Sequence, residues 1–308
     1  MENAIELREL TKTYGSRRGL NGLSLDVRVG EVFGCLGPNG AGKSTTIRLL
    51  LDLIRPTSGH ATVLGLNPRA DGVELRRRVG YLAGDFVVDG RQKVRDCLRF
   101  LADLRGGVPR QHIDDLADRL GLDQSAPIKK LSKGNRQKVG LVQAFMHTPE
   151  LLILDEPTSG LDPLVQQTFL ELVAEAAANG QTVFMSSHIM DEVEAVADRV
   201  GILRDGRVVA LDTVARLRAG AVREIEISFA EPVTAEEFAQ LPGVNDLVLG
   251  PDGTTLRGQL TGEPDALVKA AAKHHVTALR TIEPALDDLF HAYYADAEAA
   301  PRPTAATV

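Results

Sequence analysis

Between Val32 and Leu51 the chain reads VFGCLGPNGAGKSTTIRLLL, a stretch that leaves its backbone little choice. The apolar run Val32 to Leu36 predicts a buried strand. Gly37, Gly40 and Gly42 then punctuate a loop that also holds Pro38, Asn39 and Ala41. Lys43, Ser44 and Thr45 lead out of it into apolar residues of helical period, Ile47, Leu50 and Leu51. Strand, glycine-rich loop and helix in this order build a phosphate cradle. The glycines let backbone N–H groups approach phosphate oxygens with no Cβ in the way, and the helix start adds the positive end of its dipole. Lys43 can then reach β and γ phosphates, and Ser44 Oγ can ligate Mg²⁺. The bland alternative is a glycine-rich turn with no ligand, which neither the strand before it nor the helix after it requires.

The rest of the chain bounds what such a cradle can serve. With 308 residues, 44% hydrophobic, there is apolar material for two domains with their own cores. No apolar run approaches the roughly 20 residues of a membrane-spanning helix, and MENAIELREL has neither part of a secretion signal, so the expectation is a protein that does not cross a membrane by itself. The two cysteines, Cys35 and Cys97, share no ligand spacing and fit a reducing cytosol. A net charge of −7 argues against a bulk nucleic-acid binder, and Arg76, Arg77 and Arg78 read as a solvated helix face.

Glu2 to Leu10 and Leu23 to Val29 alternate as half-buried antiparallel strands, with Tyr14 between them as a strand-end residue or a π-face for a base. After the phosphate loop, Ala61 to Leu64 predicts a strand, Glu74 to Arg78 a polar helix and Val79 to Ala83 a strand ending at Gly84 and Asp85. Val94 to Arg105 and Gln111 to Leu120 have helical period, a lobe inserted into the sheet domain. At LSKGN, Ser132 sits as an N-cap, and Lys133, Arg136 and Lys138 crowd positive charge onto a helix start that is already electropositive, a conflict that a bound anion relieves. Leu151 to Leu154 predicts a buried parallel strand delivering Asp155 and Glu156 at its end. Beside the phosphate loop, Asp155 can hold the Mg²⁺ shell and Glu156 can orient and deprotonate a water. A helix over Pro163 to Ala178, a strand over Thr182 to Met185 with His188 just beyond, and a hairpin over Arg199 to Leu211 follow. A lone histidine is more often structural than catalytic, but this one falls on the same sheet edge.

From about 221 the pattern becomes strand, helix, two strands, helix, strand, the split βαβ of a ferredoxin-like module. His274 and His275 lack partners at ligand spacing and read as surface residues. Leu286 to Tyr294 predicts a last helix, and the tail after Glu298 a disordered end.

The phosphate loop, LSKGN, the carboxylate-ended strand followed by SGLD, and a histidine past the next strand stand in one order. Together they resemble the ATP-binding subunit of ABC transporters, and among these the ABC-2 type and drug-resistance exporters, which often end much like EPALDDLFHAYY. The resemblance implies an α/β P-loop NTPase domain over residues 1–220, with an antiparallel β subdomain and a helical lobe at about 85–147. An α+β accessory domain at 221–295 and a disordered tail at 296–308 complete it. It implies that Tyr14 stacks on adenine, that Gly37 to Thr45 form the Walker A loop, and that Asp155 and Glu156 are the Walker B carboxylate and catalytic glutamate. Asp162 then lies in the D-loop at a subunit contact, and His188 senses the γ-phosphate. Ser132 and Gly134 match the signature motif, which in the family binds ATP held by the other subunit. The implied partners are a second copy and a separate transmembrane permease, with ATP and Mg²⁺ as ligands, no nucleic acid, and a place at the inner face of the membrane.

The signature departs as LSKGN, where Asn135 keeps the amide chemistry. Gly84 stands where the family has a glutamine or glutamate on Mg²⁺, and Asp85, one residue on, is a candidate substitute. Two other readings stay open: a soluble ATPase of this type acting on nucleic acid or ribosomes, and an ATP-dependent regulator without transport.

Overall fold

A computed structural model describes residues 2–15, 17–88, 90–219 and 222–282. It has two compact units, Met1–Asp212 and the chain from Thr213 on. In the first, the elements run β1 (Asn3–Tyr14), β2 (Arg17–Arg28), β3 (Val32–Leu36), α1 (Lys43–Leu50), β4 (Ser58–Val63), α2 (Gly72–Arg78) and β5 (Val79–Leu82). Then come α3 (Val94–Leu104), α4 (Arg110–Arg119), α5 (Lys133–Phe145), β6 (Leu151–Asp155), α6 (Pro163–Ala178), β7 (Thr182–Ser187), α7 (Met190–Glu194), β8 (Arg199–Arg204) and β9 (Arg207–Thr213).

Two sheets result. One is three-stranded and antiparallel, β2-β1-β4; the other is six-stranded, β5-β6-β7-β3-β8-β9. The strands from β5 to β8 pair in parallel. Parallel strands lie between layers, which is why β3, β6 and β7 are rich in apolar residues and buried along their whole length. Helix α1 buries Ile47 and Leu50 in one core with Ile5, Leu7 and Leu25 of the small sheet and Ile153 and Phe184 of the large one. Phe33 stacks on Phe184 at 5.7 Å. Each such side chain contributes about 1.5–3 kcal/mol by leaving water, so the core fixes the strand that carries the phosphate loop.

The helices α3, α4 and α5 lie between β5 and β6, which are neighbours in the sheet. Val94, Cys97, Leu98 and Ala102 form the buried stripe of α3, and Ile113, Leu116 and Ala117 that of α4. Both pack on α5, which itself packs on β5. The first strands run longer than the alternation predicts, since register shifts between Leu7 and Leu10 and again between Leu10 and Lys12 break the period without ending the pairing.

The second unit comprises α8 (Val214–Ala219), β10 (Val222–Phe229), α9 (Glu236–Ala239), β11 (Val244–Leu249), β12 (Thr255–Thr261), α10 (Asp265–Ala271) and β13 (Val276–Ile282). Its sheet is antiparallel in the order β11-β12-β10-β13. Ile225, Ile227, Phe229, Phe238, Leu256, Leu260 and Leu267 form its own core. The division falls after Asp212, a few residues before the change of pattern near 221, and α8 occupies part of the interval. The short helix expected after the first strand of this module is a single turn, Glu236–Ala239: Thr234 Oγ1 donates to Glu237 Oε1 at its start, and Pro242 and Gly243 follow it. His274 is not the free surface residue the sequence suggested. Its ring stands edge-on to Phe229 at 5.7 Å, and its Nε2 lies 2.7 Å from Glu237 Oε2. The helix expected over Leu286 to Tyr294 and the tail beyond Glu298 lie outside the described residues.

Candidate functional site

Strands β5, β6, β7 and β3 are adjacent and parallel, so their C-terminal ends deliver Gly84, Asp155 with Glu156, Ser187 with His188, and the 37–42 loop to one edge of the sheet. Gly42 caps α1 with φ of 114°, and a Cβ there would come within 2.7 Å of Leu20 Cδ2 and 3.0 Å of the Gly19 carbonyl. Only glycine fits this turn, which aims the first N–H groups of α1 outward.

Lys43 is 5% exposed. Its Nζ donates to the Gly37 carbonyl at 2.5 Å and lies 3.1 Å from Glu156 Oε1. Ser44 Oγ donates to Asp155 Oδ1 at 3.1 Å, and Ser186 Oγ donates to the same oxygen at 2.6 Å. His188 Nδ1 sits 2.5 Å from Glu156 Oε2. Glu156 therefore spans the lysine and the histidine, one carboxylate oxygen to each. Its backbone has φ of +48°, a left-handed conformation that a non-glycine residue holds only where its surroundings fix it. Here they do so: Gln137 Nε2 donates to the Glu156 and Pro157 carbonyls at 3.2 and 3.0 Å, and Glu156 N–H donates to Ser186.

Cys35, on the strand that leads into the loop, is inert because it is buried. Burial pushes its thiol up to about 12; Lys43 opposes the shift, and Asp155 and Glu156 add to it.

A cleft of about 390 Å³ is lined by Tyr14, Pro38, Asn39, Gly40, Gly42, Lys43, Ser44, Thr45, Arg48 and Glu156, among others. Tyr14 is half-exposed there, with Lys12 Nζ 5.2 Å from its ring centroid. Asn39, Ser44, Arg48 and Glu156 also line a neighbouring groove, shared with Gly84, Asp85, Lys133, Asp155 and His188. A Cβ at Gly84 would lie 3.3 Å from the Asp155 carboxyl, so a side chain at 84 would start directly beside that group.

Several predicted residues line neither space. Ala41 turns into the core, and Gly37 contributes its carbonyl to Lys43. Ser132 Oγ accepts from Asn135 N at 3.2 Å as the N-cap of α5, and Asp162 Oδ1 accepts from Val165 N at 3.1 Å as the N-cap of α6. Gly134 abuts Gly160; its neighbour Lys133 does line the groove, with Nζ donating to Ser159 Oγ at 2.9 Å. Gln137, Ser186 and Arg48 went unremarked in the sequence. Gln137 and Ser186 carry no pattern of their own and bond residues distant in the chain, while Arg48 on α1 lines both spaces.

Residues 20–159 match the model of the family described as ABC transporter. The fluoroquinolones export ATP-binding protein MT2762 of Mycobacterium tuberculosis (strain CDC 1551 / Oshkosh) is 34% identical over 293 residues, 93% of this chain and 91% of that protein. The chain belongs to the ABC transporter family. Another relative of this ABC protein is the probable multidrug ABC transporter ATP-binding protein YbhF of Escherichia coli (strain K12). It is 36% identical over 245 residues, which is 78% of this chain and 42% of its own length, so the chain spans less than half of that relative. A solved ATP-binding subunit of an ABC transporter superposes with a TM-score of 0.65 at 32% identity, covering 70% of this chain and 92% of its own. The ABC fold is thus common to both, and ABC ATPases bind ATP in it. No helix among the described residues is long and apolar enough to cross a membrane.

Proposed function

We propose that this ABC protein binds and hydrolyses ATP as a pair of copies, and that the pair drives a separate membrane-spanning permease of the exporter type. One observation carries the reading: Lys43, Glu156 and His188 form a continuous chain of contacts that runs from the floor of the cleft into the neighbouring groove, while Ser132, Gly134 and Asp162 line neither. The floor is one half of a site. The cap at Ser132 and the exposed charge around it suit the phosphate of a nucleotide held by a second copy.

On this floor the adenine lies against Tyr14, and the loop amides with Lys43 hold the phosphates. Ser44 and Asp155 present a hydroxyl and a carboxylate 3.1 Å apart, the hard oxygen donors that suit Mg²⁺. The ion would neutralise phosphate charge. When a γ-phosphate takes the Lys43 ammonium, the Glu156 carboxylate is released to orient a water and accept its proton. His188 keeps hold of the other Glu156 oxygen and faces the same phosphate. Asp85 reaches into this groove as the carboxylate nearest in sequence to Gly84.

The names of the relatives support export, and the second unit, with its β-α-β-β-α-β order and antiparallel sheet, we take as a ferredoxin-like accessory module on an ATP-binding domain that ends near 212–220. The working position is the inner face of the cell membrane, held there by the permease.

The test is the oligomeric state of Glu156→Gln in saturating Mg-ATP, by size exclusion with light scattering. A dimer that dissociates when ATP is removed is expected. A strictly monomeric variant, with or without its permease, would overturn the proposal.

A further inference from the structure

Just past His188, α7 carries a buried acid that the site as described does not use. Glu192 is 8% exposed; its Oε2 accepts from Ser187 Oγ at 2.8 Å, while Oε1 is buried with no hydrogen-bond partner among the described residues. The Ser187 hydroxyl, itself buried, also accepts from Ile189 N–H at 3.0 Å. These two bonds bracket His188: the residue before it and the residue after it are tied together through one hydroxyl, and that hydroxyl is oriented by Glu192. The helix carrying Glu192 rests on the strand that feeds the phosphate loop. Val193 approaches so closely to Gly34 of β3 that a Cβ there would fall 2.0 Å from Val193 Cγ1.

A carboxylate buried with one oxygen unsatisfied costs free energy. Closing the start of a five-residue helix does not require it, since Ser187 alone could accept the Ile189 N–H. What Glu192 adds is a fixed direction for the Ser187 hydroxyl, and with it a fixed peptide at His188. The His188 ring must reach Glu156 Oε2 at 2.5 Å from a side chain that is half in solvent. A backbone already fixed at 188 lowers the entropy that an exposed ring loses in holding such a contact.

We infer that Glu192 is a positioning residue for His188, acting through the Ser187 hydroxyl to hold the histidine against Glu156 during ATP hydrolysis. The inference rests on the reading of Glu156 and His188 given above. It predicts an effect on turnover and none on nucleotide capture, because neither Glu192 nor Ser187 lines the cleft that holds Tyr14 and the phosphate loop.

The test is phosphate release by the full chain across a range of ATP concentrations. Glu192→Ala is expected to lower kcat about tenfold with KM changed less than about twofold. Ser187→Ala, which removes the same bridge, should do likewise. Glu192→Gln keeps an oxygen that accepts from Ser187 and should recover most of the turnover. In a His188→Ala background, adding Glu192→Ala should cost nothing further, since the group it positions is gone. Full turnover in Glu192→Ala, a loss that Glu192→Gln does not restore, or a loss that adds fully to that of His188→Ala would overturn the inference. Undiminished turnover in His188→Ala would overturn the reading of the site, and this inference with it.

Discussion

The contact between Lys43 and Glu156 sets ATP and the catalytic carboxylate in competition for one ammonium, and Glu156→Gln measures the stakes. Lys43 is 5% exposed and Glu156 20%, with 3.1 Å between Nζ and Oε1. Removing one partner of a fully buried pair costs about 3–5 kcal/mol. Glutamine retains a neutral acceptor, the Gly37 carbonyl still takes a bond from Nζ, and the glutamate is partly solvated, which together bring the expected loss to about 1–2 kcal/mol. Without nucleotide, the variant's ATP-binding unit should therefore melt roughly 2–8 °C lower than the parent. With ATP, phosphate oxygens replace the missing carboxylate and like-charge repulsion is relieved, so ATP affinity should rise about 5- to 30-fold. Hydrolysis should fall by roughly 10²–10⁴, the range for a lost general base. Thermal unfolding with and without ATP and calorimetric titration read all but the last directly. A variant that melts with the parent and binds ATP no more tightly would show that Glu156 does not compete for Lys43, and the release step in the proposed mechanism would fall with it.

Two more outcomes follow from named contacts. Lys43→Ala removes a charge-assisted contact worth about 1.5–3 kcal/mol, so ATP affinity should drop roughly 10- to 150-fold by titration; unchanged affinity would place the phosphates elsewhere. His147 is held by burial, with Arg105 adding to the effect, at about 4 against an ordinary 6.5, its Nε2 on the Val79 carbonyl and its Nδ1 buried without a partner among the described residues. Because the folded state favours the neutral ring, its contribution is complete above pH 6.5 and is lost as pH falls from 6.5 towards 4. Denaturant midpoints measured over that window should slope less steeply in His147→Leu than in the parent, and equal slopes would refute the assignment.

What the sequence made legible was chemistry set by neighbours in the chain. The 37–45 loop, the strand ending in Asp155 and Glu156, the N-cap at Ser132 and the helix from Pro163 to Ala178 all depend on short-range sterics and periodicity, and all have counterparts in the structure. Hidden residues act across the fold. Gln137 looks like any polar residue on a helix until β6 brings the Glu156 and Pro157 carbonyls to its amide. Ser186 falls just past the strand expected over Thr182 to Met185 and has no pattern of its own until Asp155 arrives beside it. His274 became legible only when β10 placed Phe229 under its ring. Position 84 was readable as a departure, but how closely a side chain there would crowd Asp155 took the folded geometry to see.

The lobe made by α3, α4 and α5 leaves the large sheet at one strand and re-enters it at the next one over, β5 and β6 being hydrogen-bonded neighbours. A segment hung this way is a pendant with both cords tied to adjacent pegs. It can tilt, or grow by insertion, without forcing any strand to change its neighbours. Any tilt of the lobe would reach the catalytic edge through the returning cord α5, where the Gln137 amide grips the Glu156 and Pro157 carbonyls.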